Sequence, residues 1–167
     1  MEPKIEIVNI VATLKLDPMP KPDKILERIP RAKLIRRFHG AMIRLDKIPI
    51  LFYRDNIIIT GLKSMNELDQ VIKNAISLLQ GRGFNVKIIS RQVVNITVKV
   101  ELGIELNLYE VARKLNGIYD PDYRPYVIAR LNGTTLLVSQ MGKLVLLGAK
   151  SLEQVYNILG KALALIT

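Results

Sequence analysis

The chain has 167 residues, a net charge of +10 and an apolar fraction of 49%. That length holds one domain or two fused half-domains with a sizeable core, and the composition excludes disorder. The absence of cysteine, a single histidine (His39) and the lack of any run of about 18 apolar residues exclude a disulfide framework, a thiolate or multi-histidine metal centre and a membrane-spanning helix.

The β-branched run 5–14 predicts a strand, with Ile7, Asn9, Val11 and Thr13 on one face and Val8, Ile10, Ala12 and Leu14 on the other. Pro18, Pro20 and Pro22 make a stiff connection, and Asp23 can cap a helix that runs to Ile29 before Pro30 stops it. Residues 36–40 form a basic turn with an aromatic. Strands are expected at 41–45, 48–53 and 56–60, with turns at Asp46-Lys47 and Arg54-Asp55 and Gly61 ending the last strand. Ser64-x-x-Glu67 is a capping box that opens a long helix, which Gly81 and Gly83 terminate. A second pass follows: a strand at 93–100, a short helix capped by Asn107, a turn at 120–125, strands at 126–131, 135–139 and 143–147, and a helix opened by the capping box Ser151-x-x-Gln154.

The second pass repeats the first. Asn9 matches Asn95, Gly61 matches Gly148, Lys63 matches Lys150 and Ser64 matches Ser151. The predicted class is therefore α+β, with two tandem pseudo-symmetric repeats, 1–84 and 85–167, forming one curved antiparallel sheet with the helices on its convex face. Such an arrangement leaves the concave face bare, and a bare apolar face of that size predicts a binding site. Period-2 reading places Ile7, Asn9, Val11, Thr13, Phe52, Ile58, Thr60, Val93, Asn95, Thr97, Val145 and Leu147 on it.

That set holds no nucleophile–base arrangement, no clustered carboxylates and no glycine-rich phosphate loop, so no enzyme is expected and no cofactor is implied. The basic balance biases the chain toward polyanions. Three Phe, six Tyr and no Trp speak against a stacking platform for single strands. An apolar sheet with two central amides and a basic rim suits a DNA minor groove, which offers sugar and base edges, acceptors along its floor and phosphates along its sides. The start of the chain has no basic segment followed by an apolar one, so a cytoplasmic, nucleoid-associated protein is expected. The same apolar face predicts a homodimer when no DNA covers it.

Val8–Thr13, Phe38, Phe52, Thr60-Gly-Leu-Lys-Ser64, Val94-Asn95, Tyr119-Asp-Pro-Asp, Pro125, Gly142-Lys-Leu-Val and Gly148-Ala-Lys-Ser151 together resemble the TATA-box-binding protein family of the archaeal and eukaryotic type. The resemblance spans both repeats. It implies a saddle that sits on the minor groove of an A·T-rich promoter element and bends it for transcription initiation. It implies that Asn9 and Asn95 are the central amides, that Val11, Ile58, Thr60 and Thr97 touch the groove floor, and that Val145 belongs to the same DNA-binding face. It makes Phe38 and Phe52 the first kinking pair and places Arg44, Lys63, Arg130, Lys143 and Lys150 near phosphates. The second kinking pair falls on Arg124 and Ser139, neither an apolar wedge, with Tyr126 two residues from the first. A transcription factor B-type initiation factor is the implied partner at the second stirrup, where Asp120 and Asp122 remain and Tyr123-Arg124 makes the tip more basic. These departures suit a divergent paralogue. The alternative is an interaction module of the same fold that binds a protein or nucleic acid without TATA-specific bending.

Overall fold

The computed structural model describes residues 2–167. In chain order the elements are β1 (Lys4–Asp17), α1 (Pro22–Arg28), β2 (Lys33–Ile35), β3 (Gly40–Leu45), β4 (Ile48–Phe52), β5 (Ile57–Leu62), α2 (Met65–Gly81), β6 (Lys87–Glu101), α3 (Leu108–Leu115), β7 (Tyr126–Leu131), β8 (Thr134–Ser139), β9 (Lys143–Ala149) and α4 (Leu152–Ile166). The strands are hydrogen-bonded in the order β2-β3-β4-β5-β1-β6-β9-β8-β7, so the α+β class with an antiparallel sheet is the class observed. Two compact units divide the chain: residues 9–94, and the segment ending at Val8 together with residues 95–167. The divisions fall inside β1 and β6, so each unit contains the end of one long strand that the sequence assigns to the other repeat.

In the unit of residues 9–94, strand alternation and helix periodicity build one core. Direct cross-strand partners share a face. Ala41, Phe52, Ile57 and Leu14 form one buried row, and Ile43, Ile50, Ile59 and Ala12 the next. Helix α2 covers these rows, packing on β3 and β5 with Leu68, Val71, Ile72, Ala75 and Leu79, while α1 packs on β3. Each large apolar side chain so buried contributes about 1.5–3 kcal/mol relative to exposure. The capping box forms as expected: Ser64 Oγ accepts from the Glu67 N–H at 3.0 Å, and Glu67 Oε1 accepts from the Lys63 N–H at 3.0 Å. The cap of α1 is different. Lys21, not Asp23, stands at the N-cap, and no side chain caps the helix. Pro22 occupies the first helical turn, where its missing N–H and preset φ suit the position, and Asp23 contributes a favourable charge within that turn.

Residues 95–167 repeat the plan. Val100, Leu144, Val138 and Val127 form one buried row, and Val98, Leu146, Leu136 and Ala129 another. Helix α3 lies on β7 and β8 and against α4, which packs on β9. Ser151 Oγ accepts from the Gln154 N–H at 3.1 Å, and Gln154 Oε1 accepts from the Lys150 N–H at 2.8 Å, which completes the second capping box. Asn107 Oδ1 caps α3 through the N–H groups of Tyr109 and Glu110.

Among the element boundaries that depart from the sequence reading, three bear on how the sheet is built. Strand β6 begins at Lys87 instead of Val93; residues 87–92 are exposed, Ile88 and Ile89 among them, and carry no buried alternation for the sequence to show. The three-residue β2 has no pattern of its own; it exists by pairing with β3. Gly61 does not end β5. It sits at φ +85 in a bulge, between the pairs Ile10–Leu62 and Ala12–Ile59, and Gly148 at φ +89 does the same beside Ile96–Ala149 and Val98–Leu146.

The two units differ at one hairpin. Both begin with two-residue turns: Leu45 pairs with Ile48 across Asp46-Lys47, and Leu131 with Thr134 across Asn132-Gly133, the turn residues all having positive φ. The next turns are unequal. Between β8 and β9 three residues, Gln140 to Gly142, make the turn; Gly142 takes φ +73, and an added Cβ would meet the Ile104 carbonyl oxygen at 2.3 Å. Between β4 and β5 the ladder is carried one step further by Tyr53 N–H donating to the Asn56 carbonyl at 2.9 Å, so only Arg54-Asp55 make the turn. The repeats are offset by 86 residues at Asn9–Asn95 and by 87 at Gly61–Gly148, and the structure places that one-residue step in this turn. Phe52 therefore corresponds to Val138, and Tyr53 to Ser139.

Candidate nucleic-acid interface

The faces that the helices leave uncovered are half-buried, and they are where most of the expected site residues lie. In residues 9–94, Asn9, Val11 and Thr13 of β1 and Ile58 and Thr60 of β5 share that face. A row of direct partners crosses it: Thr13, Ile58, Leu51, Met42 and Lys33. In residues 95–167 the face carries Asn95, Thr97 and Lys99 of β6 with Val145 and Leu147 of β9, and the matching row is Lys99, Val145, Leu137 and Ile128. Ile7 and Val93 are also half-buried, as their alternation predicts. Leu51, Met42, Leu137 and Ile128 were missed by the sequence reading. The signal that finds them is register, because each is the direct partner of a residue already assigned.

The two amides are held in the same way. Asn9 Oδ1 accepts the Gly61 N–H at 2.7 Å, and Asn95 Oδ1 accepts the Gly148 N–H at 2.8 Å. A backbone N–H can only donate, so the oxygen of each amide is fixed on the bulge and the NH2 end is the one left to the open face. Asn95 Nδ2 also donates to Thr97 Oγ1 at 3.2 Å. The bulge thus explains the pairing of each Asn with a Gly: the extra residue leaves an N–H off the strand ladder, and the amide oxygen takes it. Replacing Asn95 by Leu is expected to destabilise the fold by about 1–3 kcal/mol, because the half-buried Gly148 N–H loses its acceptor. The loss is read as a lowered denaturant midpoint at unchanged slope. Asn95→Asp, which keeps the acceptor, recovers most of that stability but not the donor.

Phe52 is a correction. Its side chain is 1% exposed and packs in the core row with Ala41 and Ile57, so it is not a wedge. The two-residue turn advances β4 by one residue relative to its counterpart, and a one-residue step exchanges the faces of a strand. Alternation gives Tyr53, the next residue, the open position instead. Its ring meets Phe38 edge-on, with centroids 6.3 Å apart and planes at 81°. Phe38 is 70% exposed, at φ +75 in the turn before β3. Gly40 makes the arrangement fit: a Cβ there would come within 2.9 Å of the Tyr53 ring. Among the described residues the other unit has no such ring pair at the equivalent place. Ser139 and Tyr126 are direct partners there, and Ser139 Oγ accepts from the Lys143 N–H at 3.2 Å. Arg124 lies in the preceding turn, its N–H donating to the Asp120 carbonyl.

The five expected phosphate contacts, Arg44, Lys63, Arg130, Lys143 and Lys150, are all exposed. Lys63 and Lys150 occupy the same point in each unit, where the strand leaves the bulge and the capping box begins. Lys143 has an acidic neighbour: Glu101 is its direct partner in the ladder and pairs with Lys99 at 3.1 Å. The Lys99 hydrogen bond, then the charges of Lys99, Lys143 and Lys4, hold the Glu101 carboxyl below its usual range. Among the described residues no group of three or more His, Cys, Asp or Glu side chains could hold a metal ion.

Comparison with known proteins places this geometry. Residues 90–167 match the family model described as transcription factor TFIID, or TATA-binding protein. The chain is 31% identical to the TATA-box-binding protein of Methanocaldococcus jannaschii, covering 98% of this chain and 93% of that protein. It is likewise 31% identical to that of Pyrodictium occultum, over 96% of this chain and 84% of the other. The solved structure titled Methanococcus jannaschii TBP matches with a TM-score of 0.83 at 28% identity, covering 98% of this chain and 97% of that one.

Proposed function

The chain belongs to the TATA-box-binding protein family, and from that membership we propose that it binds the minor groove of A·T-rich promoter duplex and bends it at one end more than the other. The observation that carries this is the pair of open apolar faces, each holding an asparagine whose oxygen is tied to a backbone bulge, which leaves the NH2 group as the end able to donate. The floor of the minor groove over A·T pairs presents acceptors only, so amide donors suit it and a G·C pair's amino group opposes them. Val11, Ile58, Thr60, Thr97 and Val145 then contact sugars and base edges. Arg44, Lys63, Arg130, Lys143 and Lys150 neutralise phosphates, which makes binding salt-dependent.

Phe38 with Tyr53 forms the wedge at the first end, inserting between base steps at a cost of a few kcal/mol that is offset by added contact area. At the other end Arg124, Tyr126 and Ser139 offer no second ring pair, so the kink there is smaller. The surface formed by Asp120, Asp122 and Tyr123 is the proposed docking place for an initiation factor of the transcription factor B type, and the uncovered faces allow self-association in the absence of DNA. Absence of the second wedge also favours a second reading, an interaction module that binds without bending.

The test is a short TATA duplex carrying a donor–acceptor pair at its ends, titrated at two salt concentrations beside a scrambled duplex. Preference for the A·T-rich duplex with a shortened end-to-end distance supports the bending factor. Equal binding to both duplexes with no distance change overturns it in favour of the module, and sedimentation with and without DNA reads the oligomer.

A further inference from the structure

On the helix side of residues 9–94 lies a cleft of about 250 Å3 that shares only Arg44 with the DNA reading. Its floor is apolar: Ile29 after α1, Pro30, Ile43 of β3 and Leu78 of α2. Its rim is three arginines, Arg31, Arg44 and Arg82. All three are exposed, and none takes part in an ion pair among the described residues. Arg44 donates to the Lys47 carbonyl at 3.4 Å. Arg31 sits at φ +68, an uncommon conformation for a residue with a Cβ. Arg82 caps the C-terminus of α2, where a cation is favourable in its own right, so that residue alone signifies nothing. What calls for explanation is that three arginines and no carboxylate line one cleft with an apolar floor.

We propose that this cleft docks an acidic peptide segment of a partner protein, seating one apolar side chain on Ile29, Ile43 and Leu78 while flanking carboxylates pair with Arg31 and Arg82. Guanidinium groups bind carboxylates bidentately and are enriched in the buried parts of interfaces. The cavity is smaller than the roughly 300–1,000 Å3 of small-molecule sites, which suits a single side chain. Charge complementarity selects an acidic segment over a basic or neutral one. Duplex DNA is the other polyanion, but Ile43 alternates toward the helices and not toward the open face, and a phosphate backbone has nothing to place on an apolar floor. The proposal does not depend on how the open faces are used.

The experiment measures fluorescence anisotropy of a dye-labelled synthetic peptide with one phenylalanine between glutamates, alongside the same peptide with serine for phenylalanine and a labelled TATA duplex. The expected result is saturable binding of the first peptide. The double variant Arg31→Ala, Arg82→Ala and the serine peptide should each lose about tenfold or more. A control pair in the other unit, Lys114→Ala with Lys161→Ala, should leave peptide binding unchanged, and the arginine variant should leave duplex affinity unchanged. Charge reversal, Arg31→Glu with Arg82→Glu, should transfer binding to a peptide with lysines around the phenylalanine, which separates recognition from misfolding. No saturable binding, an equal loss from the lysine pair, indifference to the phenylalanine, failure of charge reversal, or an equal loss of duplex affinity overturns the proposal; the last identifies a phosphate site instead.

Discussion

Replacing Phe52 by alanine is expected to cost about 3–5 kcal/mol of folding stability, the range for removing a buried aromatic and leaving a cavity. The ring is 1% exposed, between Ala41 and Ile57 in its row, and belongs to the core that α2 covers. A small domain is stable by only about 5–15 kcal/mol, so this one change consumes a large share of the margin. Chemical unfolding monitored by circular dichroism would show the loss as a lower midpoint. Phe52→Leu fills most of the space and should cost less. If Phe52→Ala unfolds with the wild-type midpoint yet no longer bends DNA, the ring is a wedge and the register described for β4 is wrong.

Tyr53→Ala should have the opposite profile. Tyr53 is half-buried and meets Phe38 edge-on, an aromatic contact that contributes about 0.5–1.5 kcal/mol, so stability falls little. The effect is expected on DNA. Inserting a ring pair unstacks a base step at a cost of a few kcal/mol, which only a well-packed wedge sustains. With the methyl group of alanine in place of the phenol, Phe38 loses its support and the larger kink is lost. In the donor–acceptor duplex assay the end-to-end distance should return most of the way to that of free DNA, with affinity reduced about tenfold or more, because one kcal-scale contact set disappears. Tyr53→Phe keeps the ring and should bend as wild type does. Phe38→Ala should match Tyr53→Ala, and the double variant should add little, since the two rings act as one unit. Ser139→Phe, by contrast, would restore a ring at the other end and increase bending. An unchanged distance with Tyr53→Ala would rule out the Phe38–Tyr53 wedge.

These two expectations turn on a single turn residue. In the sequence, Phe52 and Ser139 align because both stand eight residues before the strand position of Thr60 or Leu147, and no residue type marks where the one-residue difference between the repeats falls. Hydrogen bonding decides it. Tyr53 N–H reaches the Asn56 carbonyl across two residues, while Gly142 permits the three-residue turn of the other hairpin. The cost of choosing wrongly is a complete exchange of faces along β4, since side chains alternate with period two.

Much else was legible from sequence alone, because it depends on short-range patterns. The two capping boxes, the apolar spacing of α2 and α4, the Asn-Gly turn and the alternation that puts Asn9 and Asn95 on one face with Val11 and Thr97 are local features, and each is found where it was expected. Duplication of the pattern gave the repeat, and the motif residues carried by both halves gave the family resemblance. Only the tertiary structure decided the remainder. It placed Gly61 and Gly148 in bulges that hold the two amides, brought Tyr53 beside Phe38, and gathered Arg31, Arg44 and Arg82 around one cleft from a turn, a strand and the end of a helix. The reason is physical. Alternation and capping are settled by neighbours a few residues apart, whereas register and convergence are settled by pairings between segments far apart in the chain, where one inserted or missing residue reverses which side of the sheet a side chain occupies.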